Sequence, residues 1–397
     1  MQAAAGMLTY GIFVLFIVFV TKKIYVKRIG TLIIFISISF GILAFFQLPM
    51  EQSDLTEAFR YLNGIRQTGF EYFQIQNYAI QNYFSGKIGL QIYFYLCSLL
   101  PWNNFYSAIA MSLMYFFCLK AIQMAAEYYQ IEKKKIKKLL ILFLLLVDFY
   151  DASNGVRNMF AFSIFIYGLA LDIYRGKRIV GFFLYAIAVS IHPSVTALIG
   201  LRYIQFLRKR VFRVIIGTAL ALWSSGIEGI IALLSPFTSI NAVNVIQGKL
   251  YYYSLVNGAT DNFGDTFNTA FSYMLMRGFR ICLVITILVI AYRVLQETKK
   301  CRTVAAFSQY LCFFSLGTLA PIMATNVFTR YSFAVIMIAP MLYAEFLGLF
   351  LPQKMARIGS KKWKLSTVAL FMVVIAFNYY MFLYHYSSFK LAFELYS

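Results

Sequence analysis

The chain has 397 residues, of which 61% are hydrophobic and 13% charged, with a mean hydropathy of +0.71. That balance excludes a soluble enzyme and predicts an all-α polytopic integral membrane protein. A net charge of +21 would point to nucleic acid in a soluble chain. Here the basic residues lie in clusters between apolar runs, so the partner is the lipid bilayer and nucleic acid is excluded.

The clusters fall at Lys22–Arg28, Lys133–Lys138, Arg175–Arg178, Arg202–Arg213, Arg293–Arg302 and Lys354–Lys364. They hold most of the 36 lysines and arginines, and the positive-inside rule places all six on the cytoplasmic side. At roughly 30 residues per helix and loop, the length allows about 12 transmembrane helices in one domain over 1–397.

In chain order, residues 5–21 and 31–49 form the first two spans. The first lacks a basic leader and a small-residue cleavage site, so it reads as a span and not a signal peptide. The turn at Lys22–Arg28 then puts the N-terminus outside, and residues 50–89 become a first outer loop. Its opening, Ser53-Asp54-Leu55-Thr56-Glu57, reads as a helix start with Ser53 as N-cap. Tyr and Phe residues between Tyr72 and Tyr95 argue against disorder. They suit sugar stacking or an interfacial aromatic belt equally. Residues 89–100 are apolar but short, and parity with the next span at 103–126 makes them re-entrant or interfacial.

Residues 137–149 lead outward, 156–174 return, 179–192 lead outward and 194–207 return. Their shortness suits helices that line a cavity. A span at 211–226 precedes a second outer loop at 227–266, which carries Tyr251-Tyr252-Tyr253 and an acidic turn from Asp261 to Asp265. Spans at 267–295, 304–322, 329–351 and 364–386 complete the set, with both termini outside.

Five cysteines, Cys97, Cys118, Cys282, Cys301 and Cys312, form no C-x-x-C pair and read as buried thiols. His192 and His385 are too few for a zinc site. No metal and no cofactor is expected.

The polar residues left after the clusters are removed carry the functional argument. They include Arg60, Arg66, Lys87, Lys120, Arg157, Lys249, Arg277, Arg280, Arg330 and Lys390. An arginine inside a span costs at least roughly 2.5 kcal/mol on insertion scales, so it needs a partner. The acids Asp148, Asp151, Glu228, Asp261 and Asp265 are available for structural ion pairs. A shared anionic ligand explains Arg157, Arg277, Arg280 and Arg330 together, because guanidinium forks match phosphate oxygens. Arg157 adds a helix N-terminus behind Asn154 and Gly155, a cap and a close backbone approach that favour a diphosphate. A helix hairpin with its basic turn at Arg175–Arg178 returns Arg157 and His192 to one side of the membrane. His192, ahead of Pro193, is either a helix-end histidine or a proton carrier and phosphate donor. Asp54 and Glu57 are capping acids or, on the sharper reading, a general base for a hydroxyl.

The strings NGVRNM at 154–159, AVSIHPSVTALIGL at 188–201, SDLTEAFRYL at 53–62 and NVFTRYSFAVIMIAP at 326–340 resemble the EpsG-like branch of Wzy-type polysaccharide (O-antigen) polymerases. The resemblance covers most of the chain, through short motifs. It implies a metal-independent glycosyltransferase in the bacterial cytoplasmic membrane with an outward-facing active site. Such an enzyme joins undecaprenyl-diphosphate-linked oligosaccharide repeat units and releases undecaprenyl diphosphate. It would work beside a chain-length regulator and a flippase of the same pathway. The recurrent polar positions of the family correspond here to Asp54, Tyr61, Arg157, His192 and Arg330. On this view His192, Asp54 and Arg157 are catalytic. Arg157, Arg277, Arg280, Arg330, Arg60, Tyr61 and Tyr331 bind the diphosphate or glycan. A flippase for the same lipid-linked sugar and a glycan ligase are the alternatives; the lack of an internal repeat weakens the first.

Overall fold

The computed structural model describes residues 13–21, 28–47, 54–73, 87–204, 267–297, 302–319 and 325–354, with isolated residues between them. Ser53, the spans expected at 211–226 and 364–386, and the second outer loop at 227–266 lie outside these residues. The described residues are helical, without strands. They form two compact units, one of residues 1–197 and 343–397, the other of residues 198–342.

The first unit contains α1 (Ile29–Phe45), α2 (Asp54–Thr68), α3 (Ile88–Ser98), α4 (Asn104–Tyr128), α5 (Lys133–Leu146), α6 (Phe149–Asn154), α7 (Val156–Tyr174) and α8 (Arg178–Ile191). After it come α9 (Val195–Ile204), α10 (Phe267–Glu297), α11 (Arg302–Leu319) and α12 (Thr325–Lys354). Among the described residues, four helical stretches are long and apolar enough to cross a membrane: Asn104–Tyr128, Val156–Tyr174, Arg277–Gln296 and Phe328–Gly348. The apolar helices α1, α3 and α8 are shorter. At 1.5 Å per residue the 14 residues of α8 reach only about 21 Å, against a hydrocarbon core of about 30 Å. The described residues thus hold fewer full spans than the dozen expected. The span expected at 137–149 is α5, which starts on lysines, and the one expected at 194–207 is the ten-residue α9.

The first unit is layered as α1 on α4, α4 on α7 and α7 on α8. Small residues set the spacing. A Cβ on Gly41 of α1 would meet the Ala108 carbonyl of α4 at 2.8 Å, so the two backbones touch there. Next to it in the chain, Phe40 stacks on Tyr115 with centroids 4.1 Å apart and ring planes at 13°, a contact beyond simple area burial. Nearly every side of α7 is covered: Met159, Phe162, Ser163, Phe165 and Ile166 are all buried within two turns. A helix apolar all round belongs at the centre of its unit.

The α7–α8 hairpin closes through Gly176, whose φ of +64° is the left-handed conformation glycine adopts without strain. Its helices meet at Gly168 and Gly181. A Cβ on Gly181 would lie 2.9 Å from the Gly168 carbonyl oxygen, and one on Gly168 would lie 3.2 Å from the Gly181 carbonyl. Only glycine permits that approach on both sides. In the second unit α10 packs on α11, with Phe314 of α11 edge-on to Tyr331 of α12 at 6.3 Å.

Replacing Gly181 by leucine is expected to force the hairpin apart and cost about 1–3 kcal/mol, as overpacking does. A Cβ on Gly278 of α10 meets nothing within 4 Å, so Gly278→Ala is the control. Thermal unfolding of the detergent-purified protein checks this: a lowered Tm for the first variant, a wild-type Tm for the second.

Candidate functional site

The Gly168–Gly181 contact fixes what lies at the hairpin's open end. Arg157 precedes Gly168 by eleven residues, and His192 follows Gly181 by eleven. At 1.5 Å per residue both sit about 16 Å from the crossing, on the side away from the basic turn. The arginine and the histidine therefore share one level of the unit.

The entry to α7 differs from the sequence expectation. Asn154 ends the short α6 and does not cap α7; its Nδ2 donates to the Tyr150 carbonyl at 3.1 Å. Asp148 caps α6 by accepting the Tyr150 N–H at 3.0 Å. Gly155 is the N-cap residue of α7 and supplies no side chain, so the first turn of α7 has no side-chain cap.

Arg157, the second residue of α7, has a side chain 12% exposed, and its Nη2 lies 4.0 Å from Oδ2 of Asp54, which is 47% exposed. That separation is an ion pair and too long for a hydrogen bond. The acid facing Arg157 comes from α2, and was not among those expected to pair with the arginines. Asp54 opens α2, whose buried residues Leu55, Ala58, Tyr61, Leu62 and Ile65 fall at helical spacing on one face. Tyr61 lies in the core, its ring edge-on to Phe84 at 5.2 Å and Phe94 at 6.4 Å, with the Arg60 guanidinium 5.5 Å from its centroid. Arg60 is exposed and within 3.9 Å of Glu57.

The far end of α2 is tied down by Arg66. Its Nε donates to the Ser98 carbonyl at 3.1 Å, and Nη2 to the Leu100 carbonyl at 2.9 Å. Nη1 donates to Oδ1 of Asn63 at 3.1 Å and also to Asn103. Asn103 in turn donates to Asn63 at 2.9 Å. The guanidinium thus serves the carbonyls at the C-terminus of α3, where a cation also complements the helix dipole. Burial lowers the Arg66 pKa from its usual value, with Cys97 opposing the shift. Sequence reasoning left Arg66 among the unexplained cations; the carbonyls it serves lie more than 30 residues away, so no local signal marks them.

His192 follows α8 in an extended conformation, with φ −144° and ψ 115°, as a residue before proline prefers. Its Nδ1 lies 2.6 Å from Oγ of Ser194 and accepts the Ser194 N–H at 3.2 Å. His192 is only 8% exposed. Sequence reasoning did not single out the Ser194 contact, although the string His-Pro-Ser announces this turn.

The remaining candidates gather in the second unit around the start of α12. The Arg277 guanidinium lies 6.0 Å from the Phe328 ring, and that of Arg280, itself 2% exposed, 5.9 Å from Phe333. Arg330 and Tyr331 lie between these phenylalanines on α12. Each contact is of cation–π range. Among the described residues no group of three or more His, Cys, Asp or Glu side chains is placed to hold a metal.

Arg66→Ala is expected to lower stability by about 1–3 kcal/mol by leaving part-buried carbonyls without this donor, and Arg60→Ala to stay within about 0.5 kcal/mol of wild type. Paired thermal melts decide this; equal losses would remove the clamp assigned to Arg66. No family model matches the chain, and no curated protein or solved structure matches it either.

Proposed function

We propose that the chain is a lipid-linked oligosaccharide polymerase, a metal-independent glycosyltransferase acting on two polyprenyl-diphosphate-linked glycans. One observation carries this reading. Arg157, Asp54 and His192 belong to one unit, with the arginine paired to the acid and the histidine at the same hairpin level. A cation, a carboxylate and an imidazole are the groups that transfer of a glycan from a diphosphate leaving group requires.

In the proposed reaction the acceptor hydroxyl oxygen attacks the anomeric carbon of the donor glycan. The bond from that carbon to the diphosphate oxygen breaks, and the electron pair leaves with the diphosphate. Arg157 and the first N–H groups of α7 stabilise the charge that develops there. Asp54 holds Arg157 in the resting state. When the diphosphate takes the guanidinium, the carboxylate is released to orient the acceptor hydroxyl and accept its proton. The resemblance to Wzy-type polymerases and the outward placement of the hairpin's open end by the positive-inside rule support the same reading.

The test is reconstitution of the purified protein with one lipid-linked repeat unit, with products separated on a gel. A ladder of multiples without nucleotide sugar is expected from the wild type. Arg157→Ala is expected to lose about 10²–10³ in rate, the scale of a lost oxyanion donor. Arg157→Lys, which keeps the charge and loses the fork, falls between. Substrate crossing the bilayer with no ladder would replace the polymerase by a flippase. A ladder in Arg157→Ala would keep the enzyme and remove this site.

A further inference from the structure

We infer that the closed end of the α7–α8 hairpin and the start of α5 beside it bind the headgroup of an anionic phospholipid. Lys133, Lys134, Lys138 and Lys177 hold it. The site stands at the opposite end of α7 from Arg157, about 26 Å away along the helix. It does not rest on the polymerase reading.

The two apolar helices α4 and α7 fix the level of the membrane surface. They end on Tyr128 and Tyr174, whose rings are 5.5 Å apart, and tyrosine favours the membrane–water interface. Past Tyr128 the chain turns back sharply: Gln130 has a φ of +53°, and the Ile131 N–H donates to the Ala126 carbonyl at 2.9 Å. That turn starts α5 beside the end of α4. Glu127 pairs with Arg175 and ties the same end of α4 to the hairpin turn. The lysines of α5 and of the hairpin turn are thereby gathered at one place.

The acids of α4, α5 and the hairpin at this level are already taken. Glu132 pairs with Lys135 at 3.2 Å, Glu127 with Arg175, and Asp172 with Arg178 at 3.9 Å. Glu345, near Tyr174, is wholly buried. Lys133, Lys134, Lys138 and Lys177 are exposed, and no carboxylate among the described residues pairs with them. Nor do lysines in the first turn serve α5, since cations there oppose its dipole. The positive-inside rule accounts for their sign. Their grouping where two spans end suits a phosphate at the lipid surface. Lysines are point charges on flexible stems, so they take a phosphodiester by charge and not through a planar fork. The start of α8 supplies the apolar half of the site. Ile179, Phe182 and Phe183 are 87%, 59% and 64% exposed, a surface for acyl chains directly after Lys177. Cations followed by an apolar face fit a lipid better than a free phosphate.

The experiment uses the full-length protein, delipidated in detergent, with phosphatidylglycerol, phosphatidylcholine or inorganic phosphate as the probe. Phosphatidylglycerol is expected to bind saturably and raise the Tm, while the other two leave it unchanged. Replacing the four lysines by glutamine is expected to weaken phosphatidylglycerol binding roughly tenfold or more. Glutamines at Arg357, Lys361, Lys362 and Lys364, which remove the same charge from another cluster, should change it by less than about twofold. If the lysine variant does not fold, a photoactivatable phosphatidylglycerol offered to the wild type decides, with cross-linked peptides mapped by mass spectrometry. Cross-links are expected at the start of α5 and on α8. Equal losses in the two variants overturn the site, as do wild-type affinity in the lysine variant or cross-links spread evenly over the basic clusters. Stabilisation by inorganic phosphate equal to that by the lipid overturns the phospholipid as the ligand.

Discussion

The contact on which the candidate site depends contains no charge. Gly168 and Gly181 let two apolar helices touch through their backbones, and the register of that contact decides which residues share a level at the hairpin's open end. Sliding one helix by a residue would separate Arg157 from His192 along the axis by about 1.5 Å and rotate one of them by about 100°. Close packing of small residues is what holds helices together where both protein and solvent are apolar. The chemistry is therefore placed by van der Waals fit.

Electrostatics then explains the partner. A guanidinium with only 12% of its side chain exposed in a membrane protein demands a counter-charge. Asp54 supplies it from α2, an element outside the hairpin, which is itself anchored through Arg66 to the end of α3. A fully buried pair would be hard to open, because each ion would be stranded without the other. This one is 4.0 Å long with a half-exposed carboxylate, and exposure to solvent weakens it. In the proposed reaction the pair keeps Arg157 in place at rest and yields the guanidinium to the diphosphate.

How much of this was legible in the sequence varies residue by residue. Helix type followed from composition, and the hairpin from its basic turn. The number of full spans was less legible, because α1 and α8 are apolar yet short and a hydropathy window does not see where a helix stops. Asp54, Arg157 and His192 stood out as polar groups beside apolar runs, but their pairing did not. Asp54 and Arg157 are about a hundred residues apart, and nothing local says which acid meets which arginine. Asn154 was misread as a cap of α7 because a short helix, α6, ends on it. Tyr61 was singled out through the family resemblance, yet helical spacing with Leu55, Ala58, Leu62 and Ile65 already placed it on the buried face. The contact of Ser194 with His192 was not foreseen because a serine after proline is ordinary until the histidine's extended backbone is seen.

The most direct test of the central claim is equilibrium binding of a polyprenyl diphosphate to the purified protein, with the matching monophosphate as reference. If Arg157 takes the diphosphate from Asp54, Arg157→Ala weakens diphosphate binding by tenfold or more, about 1.4 kcal/mol. Asp54→Asn, which removes the competing carboxylate, strengthens it. Opposite signs for the two variants are the predicted result. Diphosphate affinity unchanged in both, or weakened in both alike, would contradict the account.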